Sequence, residues 1–479
     1  MIELSGNITN YLQAHFGDEY VKNYVAYYNS EYKPYLRISS AADSTVLINS
    51  LKNYGIDLAP IGSVRNAYRI VSGSEFAGKT LEFVLGKYYI QSLSSMIPAL
   101  VLNTNESDRV LDLCAAPGSK TTQLAELMNN KGTLVANEVA MDRLKSLVFN
   151  VDKMNLVNVG VMHGKGELLS KRFENYFDKI LVDAPCSALG IVQKKGEVSN
   201  WWDVRKAETI SDLQLRLLIA AIKMCKVGGE IVYSTCTLTL EENEFIIDKV
   251  LKKYPVELEE IKLPIQSHSG FSKIGDQEFD KHLEKTRRIV PWEVESEGFF
   301  VCKLRKTDSI APEEKFLHKE NKIDFLSSSS GKIKTYLEDL SNYFGIPRKK
   351  FDEYKYFTRS NDVHFVNKDW NCSQHEFFNR IGARLGTIDK RGTVSLNSLT
   401  GQVFGESATQ NITHLENREE LEIYFRGGTI KKKLDTTGQK IIMYGENILG
   451  TGIATNEGLK SQFPRAFRTQ EIILPDGNF

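Results

Sequence analysis

The chain has 479 residues, and several features are scarce or missing from it. Only six cysteines occur, and no two of them form a CxxC pair, so a zinc ribbon or a thioredoxin-like centre has no support and no metal site is expected. At that density, and without a secretory start, a disulfide framework is also excluded. No apolar run reaches the roughly 18 residues of a membrane helix. The N-terminal stretch MIELSGNITNYLQ has no basic region followed by an apolar one, so it reads as a chain without a secretory signal, expected in the cytoplasm. Neither charge is in excess: 61 Lys+Arg stand against 61 Asp+Glu. That balance excludes a histone-like or tail-driven polyanion binder, though screening over about 8 Å leaves room for local basic patches. No internal repeat is visible. What remains is ordinary for a globular protein, 41% hydrophobic and 25% charged, and long enough for roughly three domains.

The middle of the chain alternates strands and helices, the pattern of a parallel α/β sheet. RVLDL at 109–113 reads as a short apolar strand entering a Pro-Gly loop, with helical spacing over 119–128. A strand at 132–137 and a helix at 141–154 follow, then the strand KILVD at 179–183, a long amphipathic helix at 211–225, a strand at 229–234 and a helix at 242–254. Residues 288–304 read as a closing antiparallel hairpin. Residues 1–85 suit a small α+β appendage, 86–306 the central α/β domain and 307–331 a polar linker ending in four serines. A further α+β part is expected over 332–400, and a Gly-punctuated strand region over 401–479.

The first strand–loop–helix unit is VLDLCAAPGSKTTQL at 110–124. A strand ending in a glycine-bearing loop that opens a helix offers free N–H groups to an anion, and Gly118 permits close approach. About 20 residues on, a second strand ends in Glu138, where a carboxylate accepts hydrogen bonds from ribose hydroxyls. A nucleoside-bearing ligand is expected here, and the missing GxGxxG pattern argues against nicotinamide or flavin. GSEFAGKT at 73–80 formally matches the phosphate-loop pattern GxxxxGK[ST]. Its flanks disagree: the strand before it is only partly apolar, and Gly86 interrupts any long helix after Lys79.

Two cysteines stand just past strand ends. KILVDAPCS delivers Asp183 and Cys186, and GEIVYSTCTL at 229–238 delivers Cys236. Open α/β sheets bind ligands outside the carboxyl ends of their strands, so both thiols are placed for chemistry. Cys225, Cys302 and Cys372 read as packed small hydrophobes.

Together, LDLCAAPGSKTTQLAELM, VDAPCSALG, YSTCTLTLEENE, GKYYIQSLSSM and RRIVPWEVESEGFF closely resemble the Nop/Sun family of RNA 5-methylcytosine methyltransferases. EIYFRGG at 422–428 and LKSQFPRAF at 459–467 resemble its RsmF-like bacterial members, which end in a PUA-like RNA-binding module and modify 16S ribosomal RNA. The resemblance implies a Rossmann-like class I methyltransferase sheet between an N-terminal RNA-binding appendage and a C-terminal PUA-like region, acting as a monomer on RNA with S-adenosylmethionine. It implies Cys236 as the nucleophile, Asp183 on the cytosine edge and also beside the cofactor, and Cys186 in release of the product. Cys114, Ala115, Ala116, Pro117, Gly118, Ser119 and Lys120 would cradle the methionine part, with Glu138 on the ribose and His163 toward the adenine. The chain departs from the family pattern at His163, where an acid is usual, at Ala188, where glycine is usual, and at Arg37, Ile38 and Ser39. Transfer RNA as the substrate, a non-catalytic ribosome-assembly role and a phosphate-loop NTPase are the competing readings. Lys194 and Lys195, Trp201 and Trp202, and the basic runs at 348–350 and 431–433 are candidate RNA contacts.

Overall fold

The computed structural model describes residues 4–310, 323–372, 377–468 and 471–474. Much of the expected linker, residues 311–322, lies outside these. At the centre, β1 (Arg109–Asp112), β2 (Thr133–Glu138), β3 (Val159–His163), β4 (Phe177–Asp183) and β5 (Cys225–Thr235) pair in parallel in the order β3-β2-β1-β4-β5. Strands β6 (Arg287–Ile289) and β7 (Phe299–Lys306) continue the sheet antiparallel beyond β5, as the closing hairpin predicts. The chain alternates across this sheet because its strands are buried on both faces. Ile180 and Val182 face one cluster, with Leu217 and Leu218 of helix α3 (Val204–Met224), after α1 (Ser119–Leu127) and α2 (Met141–Lys153). The intervening Leu181 faces the other cluster, with Leu124 of α1 and Leu147 of α2. Strand order reverses between β1 and β4, and the crevice at such a switch point is where these sheets bind ligands.

At its β3 edge the sheet differs from the sequence reading in two ways. Strand β3, within VGVMH, was not expected. Beyond it, β8 (Phe378–Ile381) pairs antiparallel with β3, so the sheet reaches past residue 306 into the C-terminal half. Gly160 makes this approach possible: a Cβ there would lie 2.5 Å from Trp370 and 2.6 Å from Phe378. A short strand borrowed from over 200 residues away leaves no local periodicity to find.

The N-terminal sheet pairs Asp57–Pro60, Ala67–Ser72, Tyr35–Ile38 and Tyr88–Ile90, the last lying past residue 85. Helices Gly6–Phe16 and Asp18–Tyr28 pack on Leu189, Val192, Trp202 and Leu238, which flank the two cysteine loops. Arg37 is buried in an ion pair with Glu126, and its guanidinium donates to Thr122 at 3.1 Å, so this residue joins the appendage to α1. At the C-terminal end a five-stranded sheet runs Ile412–Leu415, Gly438–Tyr444, Asn447–Thr455, Gly458–Ser461, Thr429–Ile430. Residues 73–80 form turns that end in a four-residue helix. Lys79 pairs with Glu471 at 2.7 Å, and the buried Thr80 caps that helix and meets Tyr88 at 2.7 Å. Neither side chain is free for a phosphate, and no long helix follows, so the phosphate-loop reading fails. No helix among the described residues is long and apolar enough to cross a membrane.

Candidate active site

A cavity of about 800 Å³ opens over the carboxyl ends of β1, β2, β4 and β5. Its floor is the loop from Cys114 to Lys120, and the structure brings all the lining loop residues except Gly118 to its wall. Gly118 turns the chain behind it, at φ 109, where a Cβ would press on Leu147 at 3.1 Å. Arg143 donates to the Ala116 carbonyl at 2.6 Å, and Asn150 donates to that of Pro117 at 2.9 Å. With these carbonyls drawn toward α2, the loop and the first turn of α1 leave N–H groups for a carboxylate. Glu138 lines the next wall, its carboxylate steadied by the Ala140 N–H at 2.9 Å and by Arg143.

A nucleoside carrying an amino acid fits this donor and acceptor set. Asp112 is buried on the cavity wall, and its Oδ1 has no hydrogen-bond partner, so an amine donor would satisfy it. Val139, Leu213 and Leu217 supply apolar wall for a flat base, with Lys165 and Glu167 beside them. His163 sits elsewhere: at the end of β3 its exposed ring meets the Val139 carbonyl at 2.9 Å, and it does not line the cavity. Among the described residues no cluster of His, Cys, Asp or Glu is placed to hold a metal ion.

Burial raises the Asp112 carboxyl to about 7, against the hydrogen bond it accepts from Thr121 at 2.7 Å. The folded value lies well above that of an ordinary carboxyl, so folding favours the protonated form. That stabilisation is complete below about pH 4 and is lost as pH rises through about 7. Asp112→Asn keeps the Thr121 acceptor and removes the titration. Its melting temperature relative to wild type is expected to rise by several degrees between pH 5 and pH 8, a few kcal/mol in all. A constant difference across that range would refute the assignment.

The reactive groups converge opposite the loop. Cys186 and Cys236, 50 residues apart, stand with their sulfurs 2.9 Å from each other, and both line the cavity. The hydrogen bond to Cys236, together with burial, holds the Cys186 thiol well above the usual range. Asp183 accepts hydrogen bonds from Lys120 at 2.8 Å and from Ser234 at 2.8 Å. Burial works against the Lys120 ammonium, but attraction to Asp183, and more weakly to Cys236, outweighs it and raises its pKa. A cation is thus fixed beside a carboxylate and a sulfur in a shielded site, where charges interact more strongly than in water.

Other candidates divide. Lys194 and Lys195 reach the cavity, Lys194 pairing with Glu297 across its mouth at 3.3 Å. Trp202 is buried against Tyr11 and donates to Ser187 at 3.1 Å, so it packs the site and cannot stack on a base. Trp201 is partly exposed, with Lys206 over its ring. Lys432 of the second basic run is tied to Glu416 at 2.7 Å. Ala188, the position where a glycine is usual, adopts φ 61, the left-handed region that glycine enters without cost. Sequence reasoning missed Ser95, Ser234 and Phe299 as neighbours of Lys120 and Asp183, because nothing in their local spacing marks them.

Comparison with known proteins shows the relatives of this chain. Residues 99–305 match the family described as 16S rRNA methyltransferase RsmB/F. The ribosomal RNA small subunit methyltransferase F of Shewanella piezotolerans is 31% identical over 455 residues, covering 93% of each chain. The tRNA (cytosine(49)-C(5))-methyltransferase of Pyrococcus abyssi is 36% identical over 59% of this chain and 90% of its own. Among solved structures, a methyltransferase homologue from Pyrococcus horikoshii superposes with a TM-score of 0.56 at 28% identity, covering 63% of this chain and 100% of that one.

Proposed function

The chain belongs to the 16S rRNA methyltransferase RsmB/F family, and from that premise we propose that it methylates carbon 5 of a cytosine in 16S ribosomal RNA through a covalent cysteine–cytosine adduct. It is an S-adenosylmethionine-dependent RNA cytosine-5 methyltransferase, and its relatives' names divide between ribosomal and transfer RNA. The similarity to the small-subunit enzyme over 93% of both chains supports the ribosomal substrate. The observation that carries the mechanism is the pair of sulfurs 2.9 Å apart in the cavity that also holds the loop at the start of α1.

Carbon 5 of cytosine is a poor nucleophile until a group adds at carbon 6. In the proposed reaction the Cys236 thiolate adds there. Cys186, as the neutral partner, donates its S–H to that sulfur and holds it in place. Asp183, fixed by Lys120 and Ser234, accepts a hydrogen bond from the amino edge of the base, and the Lys120 ammonium offsets charge gathering on the ring. S-adenosylmethionine supplies the methyl group as an electrophile. Loss of the carbon-5 proton then expels Cys236 and restores the aromatic ring: Cys186 gives its proton to the departing sulfur and, as the thiolate so formed, takes the proton from carbon 5. The target base leaves its stack to reach this depth, at a cost of a few kcal/mol. Lys194 and Lys195 at the mouth, with the N-terminal and C-terminal appendages, would hold the surrounding RNA. The setting is the cytoplasm, where such RNA is assembled.

Bisulfite sequencing of ribosomal and transfer RNA from a deletion strain tests the substrate. One 16S cytosine is expected to lose protection and to regain it on complementation. Loss confined to transfer RNA would replace the substrate and leave the chemistry.

A further inference from the structure

Glu242 lies outside the cavity lining, yet both cysteine loops converge on it. Its carboxylate is fully buried and accepts four hydrogen bonds. Ser187, next to Cys186, donates its N–H at 2.8 Å and also its hydroxyl. Thr239, three residues past Cys236, donates at 2.9 Å. Gln214 of α3 donates at 2.9 Å, and the same amide nitrogen reaches the Pro185 carbonyl at 2.7 Å. The next residue holds the second loop from both sides of its cysteine: Asn243 accepts from Thr235 at 2.6 Å and donates to the Thr237 carbonyl at 3.1 Å. Two loops that share no helix or strand are thereby hung on one anion.

We propose that Glu242 is the positioning residue of the site, its carboxylate clamping the Cys186 and Cys236 loops so that the two sulfurs meet. This rests on reading the two cysteines as the reactive pair. The chemistry of the clamp follows from its partners. Oε2 takes two N–H donors, from Ser187 and Gln214, which only an unprotonated oxygen accommodates. A glutamine keeps the shape and loses the charge: with its oxygen at the Oε2 position its amide nitrogen faces the Ser187 and Thr239 hydroxyls, which must turn to accept, and every bond of the clamp falls from charge-assisted to neutral. Both loops are then held more weakly while the protein around them keeps its packing.

The sulfur spacing can be read without methyl transfer. Diamide takes one hydrogen from each thiol and joins the sulfurs, becoming the hydrazine, and mass spectrometry follows the loss of two hydrogens from the Cys186–Cys236 peptide pair. Wild type is expected to close this bond rapidly. Glu242→Gln should slow it by about tenfold, and Thr239→Val, which removes one bond on the Cys236 side alone, by about threefold. Calorimetric affinity for S-adenosylmethionine should change less than twofold in both, with single-turnover methylation falling in step with cross-linking. Wild-type cross-linking rates in Glu242→Gln overturn the proposal. So does a fall in cofactor affinity parallel to the fall in cross-linking, which would make Glu242 a general scaffold. Because the cross-linking needs no RNA, an inactive wild type would count against the proposed function and leave the clamp standing or falling by itself.

Discussion

Replacing Cys236 by alanine is expected to lower single-turnover methyl transfer from labelled cofactor into RNA by about a thousandfold or more. The cavity wall holds two other sulfurs, of which Cys114 sits in the loop at the start of α1 with its thiol raised well above the usual range by burial. Cys186 is 2.9 Å away, but its thiol is held neutral by burial and by the hydrogen bond to Cys236 itself. The alanine variant should keep its cofactor affinity, because Cys236 forms none of the contacts that shape the loop from Cys114 to Lys120. Calorimetry with S-adenosylmethionine separates the two effects. A variant that binds cofactor and retains a tenth of wild-type transfer would remove Cys236 from the nucleophile's role.

Replacing Cys186 by alanine is expected to have the opposite signature. Attack by Cys236 remains, and the product cannot leave, so protein should accumulate on RNA. Denaturing gels would show a slow-migrating band that resists boiling in detergent, disappears after ribonuclease treatment and is absent from the Cys186→Ala, Cys236→Ala double variant. Multiple turnover should fall by about a hundredfold or more while the first methyl transfer survives. The physical reason is the asymmetry of the pair. Cys186, its thiol raised and its sulfur 2.9 Å from Cys236, is placed to pass a proton at release. If Cys186→Ala turns over without a retarded species, release has another agent.

Zero net charge constrains how RNA is held. A chain with 61 charges of each sign has no general field for polyanions, and many of its cations are already paired: Arg37 with Glu126, Arg288 with Glu244, Lys432 with Glu416. On the proposed function, recognition would be concentrated at the cavity mouth, where Lys195 stands. Removing Lys195 should weaken RNA binding and reduce the salt slope by about one.

How much of this was legible beforehand depends on whether the governing interaction is local. RVLDL, KILVD and GEIVYS are strands because an apolar run bounded by polar and glycine residues can satisfy its backbone in the middle of a sheet, and all three lie where that pattern put them. The loop opening α1 was legible for the same reason: glycine, a small side chain and a helix start are neighbours in the chain. The strand at 159–163 was missed because its run is short and its partners are β2 and a segment from beyond residue 370. Trp202, beside the exposed Trp201, could not be told from it by spacing, and only the appendage helices packed over it decide that it is buried.

The amino-acid sequence by itself determined most strands and helices of the central sheet, the glycine loop that opens α1, and the delivery of two cysteines and one aspartate to strand ends. Each of these follows from residues a few positions apart, whose preferences act before any tertiary contact exists. Only the tertiary structure decided that Lys120 faces Asp183 across 63 residues, that His163 turns away from the cavity, that the two sulfurs touch, and that both cysteine loops hang on Glu242. Those contacts depend on which strand lies beside which, and strand order is settled by burial of both sheet faces together, a property of the whole chain that no local pattern carries.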